Sequence, residues 1–187
     1  MQEETQILIE DADSSNFINK VIEESKNRAV VVDFWATWCN PCKQLTPLLE
    51  SSVLNLQGKI KLIKIDIDKN QSLAQQLRIQ SVPTILAFYE GKPINGFTGV
   101  KNQEEISVFL SEILQLTENS SEEMQQIKET LQNADNKLAD KNFEEAINDY
   151  GELLGDSLPK DEMIKAIVGL GKCYLGLNKF DELDELL

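Results

Sequence analysis

Val31–Lys43, VVDFWATWCNPCK, is the stretch that decides the fold. Its first half closes an apolar, valine-rich run, Ala29–Trp35, which reads as a buried strand. Its second half holds Cys39 and Cys42 with two residues between them, the second of which is Pro41. Proline is tolerated just inside a helix start, so the spacing predicts a helix opening at Cys39 with Cys42 one turn in. Unpaired N–H groups and the helix dipole favour a thiolate there, and a thiolate is the form that attacks disulfides. A zinc half-site and a pair of inert buried cysteines are the other readings. Zinc takes about four ligands, yet the chain has no histidine and one further cysteine, Cys173, more than a hundred residues away.

Asp33 places a carboxylic acid inside the apolar strand. An unpaired buried carboxylate is costly and its pKa rises; the plainer reading is a carboxylate hydrogen-bonded to nearby backbone. Lacking histidine, the chain has few other groups for acid–base work near neutral pH. Trp35 and Trp38 read as core aromatics, or, for Trp38 beside Cys39, as an exposed apolar rim that contacts partners.

WCNPCK following VDFWA resembles the active-site segment of the thioredoxin family, usually WCGPC, with Asn40 as the departure. The resemblance runs from Ile7 to Leu116 on separated motifs. Val82-Pro83-Thr84 matches the family's cis-proline loop, and Lys64 and Asp66 in LIKIDID match its third strand. Gly91 falls in a hairpin turn between Leu86–Glu90 and Pro93–Phe97, and Gly99 matches the glycine after the last strand. The resemblance implies that Cys39 is the nucleophile and Cys42 the resolving thiol, the two forming a disulfide. It implies that Asp33 lies behind them as a proton relay for Cys42, tuned by Lys64. A cis Pro83, with Trp38, Asn40, Pro41, Val82 and Gly99, is implied to bind an extended substrate segment. Neither metal nor cofactor is implied.

The formal net charge of −14 argues against nucleic acid or anionic membranes as partners. An apolar share of 41% with 27% charged residues is ordinary for a globular protein. With a polar, acidic start, MQEETQ, and no run of about 18 apolar residues, neither a membrane span nor a secretory signal is expected. Three cysteines, two of them a redox pair, suit a cytoplasmic protein.

The remaining pattern predicts a strand at Thr5–Ile9 and a helix at Ser14–Lys26 with Phe17, Ile18, Val21 and Ile22 on one face. A helix at Cys39–Leu56, kinked near Pro47, a strand at Lys61–Ile67 and a short helix at Leu73–Leu77 follow. Strands at Leu86–Tyr89 and Ile94–Phe97 precede a helix opened by an Asn102/Glu105 capping box and ending near Leu116. Residues 1–117 thus read as β-α-β-α-β-α-β-β-α, a mixed sheet with helices on both faces, in agreement with the α/β thioredoxin fold that the resemblance implies.

Beyond a polar stretch, Thr117–Ser121, and a second capping box at Ser120/Glu123, the strand pattern stops. Met124, Ile127, Leu131, Ala134 and Leu138 form a helical stripe. Further helices are predicted at Phe143–Leu154, about Asp161–Leu175, and from Phe180 onward. Residues 119–187 hold 7 basic and 16 acidic side chains, against 11 and 16 in residues 1–118. That balance reads as a solvated outer face rather than a dedicated binding surface. LADKNFEEA (Leu138–Ala146) recurs as LGLNKFDEL (Leu175–Leu183), an offset of 37 residues. This, with Gly171 and Tyr174, resembles tetratricopeptide-type repeats over residues 121–187, although Ala134 and Lys137 stand in the first copy and an insertion lies around Gly155–Lys160. A plain pair of helical hairpins is the alternative. About three repeats are normally needed. Fewer than two are present and Leu183, Leu186 and Leu187 are expected to be exposed, so the natural chain is expected to be longer, or this end to pack on the thioredoxin-like domain or another chain. Cys173, in a helix expected to be packed, reads as a small hydrophobe.

The combination resembles the bacterial cytoplasmic chaperedoxins, on QLTPLLES (Gln44–Ser51), GFTG and SEEMQQIKETLQ. It implies a redox-active holdase that protects unfolded or oxidised clients and passes them to refolding chaperones, with a thioredoxin-reductase-type electron donor. The competing reading is a general protein-disulfide reductase with a helical docking tail.

Overall fold

The computed structural model describes residues 8–154 and 158–186, in two compact units, Met1–Glu118 and Asn119–Leu187. In the first, the order is β1 (Ile9–Asp11), α1 (Ile18–Glu23), β2 (Ala29–Trp35), α2 (Asn40–Asn55), β3 (Ile60–Asp66), α3 (Gln71–Gln76), β4 (Thr84–Tyr89), β5 (Lys92–Thr98) and the first part of α4 (Gln103–Ala139). One five-stranded sheet has the order β1-β3-β2-β4-β5. β3 runs parallel to β1 and β2, while β4 is antiparallel to β2 and β5, so the sheet is mixed.

β2 takes the centre because both of its faces are apolar. Ala29 and Val31 meet Leu45, Leu49 and Val53 of α2 and Ile106, Leu110 and Ile113 of α4. Val30, Val32 and Phe34 meet Phe17 and Val21 on the other face, with Leu73 of α3. Each of the valine, leucine, isoleucine and phenylalanine side chains among them contributes about 1.5–3 kcal/mol when fully buried. Strand alternation puts Asp33 on the Ala29–Val31 face, toward α2. Glu90 and Gly91, with φ of 50° and 72°, make the two-residue turn between β4 and β5, a conformation glycine adopts freely.

Several elements differ from the sequence-based expectation. The predicted first strand, Thr5–Ile9, is found as Ile9–Asp11 paired with β3, and residues 5–7 lie outside the described residues. Ile18 is 58% exposed instead of joining Phe17 and Val21. The segment winds as a π-helix followed by a 3₁₀ turn at Glu24–Lys26, and the wider winding turns Ile18 away from the face that holds Phe17 and Val21. The Asn102/Glu105 capping box forms, each backbone N–H donating to the other's side chain at 2.9 Å. Its helix, however, runs on to Ala139 rather than ending near Leu116, so Ser120 and Glu123 lie inside a helix and cap nothing. No glycine or proline interrupts that stretch, and the Thr117 hydroxyl donates to the Leu114 carbonyl at 2.9 Å, satisfying itself within the helix.

The second unit contains the rest of α4, α5 (Phe143–Leu153), α6 (Lys160–Gly176) and α7 (Phe180–Leu186). Its core gathers Leu131 and Ala134 of α4, Ala146 and Tyr150 of α5, and Ala166, Leu170 and Cys173 of α6. The internal echo is structural as well. Asn142 N–H donates to the Lys137 carbonyl and Lys179 N–H to the Tyr174 carbonyl, both at 2.9 Å, across Lys141 (φ 63°) and Asn178 (φ 58°). These are helix stops of one design, 37 residues apart. Leu183 and Leu186 are half-buried, contrary to the exposed end expected from sequence, because side-chain-free Gly171 lets α7 approach α6. Leu187 and residues 155–157 of the expected insertion lie outside the described residues. No described helix is long and apolar enough to cross a membrane.

Candidate active site

Cys39 is the N-cap of α2 and Pro41 stands in the first turn, which is why the helix begins there. Cys39 and Cys42 are joined by a disulfide and are only 3% and 2% exposed. The Cys42 backbone N–H donates to Cys39 Sγ at 3.1 Å. A helix-start N–H aimed at this sulfur stabilises negative charge on it once the disulfide is reduced. Asn40 and Pro41 are exposed at the mouth of the site.

Trp38 is 65% exposed, and its Nε1 donates to Asp68 Oδ2 at 3.0 Å. Trp35 is half-buried against the cysteines, and its Nε1 is buried with no partner among the described residues. Val82 packs on the cysteine pair, and the Val82–Pro83 bond is cis. The Pro83 carbonyl accepts from Gly99 N–H at 2.9 Å, with Gly99 at φ +90°. Among the described residues no neighbour stands within 4 Å of where a Gly99 Cβ would lie, so backbone conformation rather than space requires glycine there.

Asp33 is fully buried. Its Oδ2 accepts from Thr46 Oγ1 at 2.6 Å, and its Oδ1 has no partner among the described residues. The bond that holds it comes from a side chain of α2, not from nearby backbone. Burial raises the Asp33 pKa to about 6, opposed by the Thr46 hydrogen bond and the Lys64 charge and reinforced by Glu50. Lys64 lies directly across from Asp33 in the β2–β3 register, but its Nζ pairs with Glu50 Oε1 at 2.9 Å. Lys64 therefore acts on Asp33 through its field. A cavity of about 290 Å³ is walled by Trp35, Cys42, Lys43, Thr46, Pro47 and Lys64.

The structure thus brings Val82 onto the cysteine pair and Lys64 into the cavity wall that Cys42 shares, while Asp33 is bonded to Thr46 of that wall and Gly99 is tied to Pro83. Sequence reasoning missed Thr46 and Glu50. The available signal was their helical spacing from Cys42, at i+4 and i+8, on the face turned to the sheet.

Residues 9–112 match the family model described as Thioredoxin. The chain is 43% identical over 105 residues to "Probable thioredoxin-2" of Caenorhabditis elegans, covering 56% of this chain and 71% of that protein. It is 38% identical over 84 residues to the thioredoxin of Staphylococcus aureus strain Mu50, covering 45% of this chain and 81% of that protein. The chain belongs to the thioredoxin family. Thiol–disulfide redox chemistry of the thioredoxin type follows for its first unit, and the matched segment ends before the second.

Proposed function

We propose that this protein is a redox-active holdase. A thioredoxin domain, residues 1–117, exchanges disulfides with protein substrates, and a tetratricopeptide-type region, residues 121–187, holds unfolding clients for refolding chaperones. The exposed apolar row on α6 carries the second half of this reading: Ile164, Val168 and Leu175 are each about half exposed, at 50%, 50% and 52%. Of their counterparts 37 residues earlier, Leu131 is in the core of the unit and Ile127 and Leu138, half-buried, pack against it. A contiguous apolar patch left open on a protein surface marks an interaction site.

In the redox step the Cys39 thiolate attacks a client disulfide, forming a Cys39–client bond and releasing one client thiolate. Trp38, Asn40, Pro41, Val82, Pro83 and Gly99 bind the client backbone around that bond. Cys42 then loses its proton to Asp33, whose pKa Lys64 tunes, and attacks Cys39 Sγ. The Cys39–Cys42 disulfide forms and the second client sulfur leaves as a thiolate, which water protonates. A thioredoxin-reductase-type donor returns two electrons to the pair.

The test is light scattering of a heat-unfolding client. A Cys39→Ser/Cys42→Ser double variant is expected to suppress aggregation as the parent does. The variant Ile164→Ser/Val168→Ser/Leu175→Ser is expected to lose that protection while reducing insulin at the parent rate. Equal protection by both variants would remove α6 from the holding surface. No protection by the parent would leave the alternative, a protein-disulfide reductase with a helical docking tail.

A further inference from the structure

Asp33 has no accessible surface, and it is absent from the wall of the cavity that Cys42 shares. A group that reaches both the cavity and the carboxylate is placed to carry a proton from the Cys42 thiol to Asp33. Thr46 is the group that touches both. It lies one helical turn beyond Cys42 on the same side of α2, forms part of the cavity wall, and donates to Asp33 Oδ2 at 2.6 Å. The other carboxylate oxygen, Oδ1, is sealed and unpartnered among the described residues. The neighbouring charges are Glu50 from α2 and Lys64 from β3, which are occupied with each other at 2.9 Å. From β4, Asp33 is opposed by Ile85, which brings no charge.

We propose that Thr46 is the relay residue between Cys42 and Asp33, its hydroxyl taking up the Cys42 proton at Oγ1 while passing its own proton to Asp33 Oδ2. A hydroxyl is both donor and acceptor, so one side chain performs both transfers. A water in the cavity of about 290 Å³ takes up the thiol proton as it gives one of its own to Oγ1, so it ends unchanged. The step balances without a further reactant: a thiol and a carboxylate become a thiolate and a carboxylic acid. This inference rests on Asp33 being the proton partner of Cys42.

The experiment uses the full chain with Cys39 loaded as its mixed disulfide with glutathione, and follows glutathione release by Cys42 from about pH 5 to pH 9. Thr46→Val is expected to slow release about a hundredfold near neutral pH, the lower end of what a positioned proton-transfer group supplies. The loss should close at alkaline pH, where hydroxide takes the proton directly. Thr46→Ser should restore the parent profile. Thr46→Val added to Asp33→Asn should cost nothing beyond Asp33→Asn alone. Carbon-13 NMR of the Asp33 carboxyl should show its midpoint moving up in Thr46→Val, because a bond favouring the ionised form is gone. Thr46→Ala serves as a second hydroxyl-free variant should valine disturb the fold. If Asp33→Asn slows release and neither hydroxyl-free variant does, Thr46 is not the relay while Asp33 keeps its role. Additive losses would also overturn the proposal. If Asp33→Asn itself changes nothing, the underlying role of Asp33 fails and the relay fails with it.

Discussion

Replacing Asp33 by asparagine removes an ionisable group that the fold holds at a disadvantage. Burial carries its pKa from 3.8 to about 6. At about 1.36 kcal/mol per pH unit, the ionised carboxylate therefore destabilises the oxidised folded protein by about 3 kcal/mol at pH 8. The sign follows from proton counting. Between pH 3.8 and 6 the folded state binds more protons at this site than the unfolded chain, so stability falls as pH rises through that window. Asparagine keeps an oxygen for the Thr46 hydroxyl but puts an NH₂ where Oδ1 has no partner, a fixed cost of about 1–3 kcal/mol. That cost is independent of pH, so the informative quantity is the difference between parent and variant as pH changes. The variant is expected to gain about 2–3 kcal/mol on the parent between pH 4 and pH 8. Urea unfolding followed by tryptophan fluorescence measures this, since Trp35 and Trp38 both belong to the first unit and are the chain's two tryptophans. A stability difference that stays flat from pH 4 to pH 8 would refute the claim that Asp33 is buried with a raised pKa.

Cys39→Ser is expected to abolish insulin-disulfide reduction, whereas Cys42→Ser should accumulate a client–Cys39 mixed disulfide visible on a non-reducing gel; an active Cys39→Ser protein would exclude Cys39 as nucleophile. Cys173 is fully buried and burial raises its thiol pKa, so in the reduced native protein it should alkylate far more slowly than Cys39, and equal rates by mass spectrometry would contradict its place in the core. Gly169→Ala would drive a methyl into the Tyr150 ring and should lower stability by about 1–3 kcal/mol in a circular-dichroism melt, a loss that a smaller residue in place of Tyr150 should partly relieve.

What the sequence made legible was whatever a short window encodes. Ala29–Trp35 is apolar on both faces and came out as the central strand; Pro41 marked the helix start; Asn102 and Glu105 named their own cap. The internal echo likewise fixed two helix stops. The failures came where the outcome depends on something outside the window. Thr117–Ser121 is polar enough for a linker, yet it stays helical, with the Thr117 hydroxyl bonded back to the preceding turn. Ile18 followed an α-helical wheel that the chain does not use. The Thr46–Asp33 bond joins residues 13 apart and depends on how the helix settles over the strand. Lys64 was read as a neighbour of Asp33, correctly in register, but Glu50 on α2 takes its ammonium.

Tyr150 touches three helices at once: it grows from α5, its ring lies against bare backbone at Gly169 of α6, and its hydroxyl donates to Asp135 of α4 at 2.5 Å. In an array whose helices meet only pairwise, each element can peel away with the loss of one interface. Here loosening any of the three exposes the ring and orphans the hydroxyl, so the cost of the first departure already contains most of the cost of the second. Amide protons of α5 and the middle of α6 should accordingly exchange with solvent as a single block, giving the second unit an all-or-none opening rather than a fraying from one end.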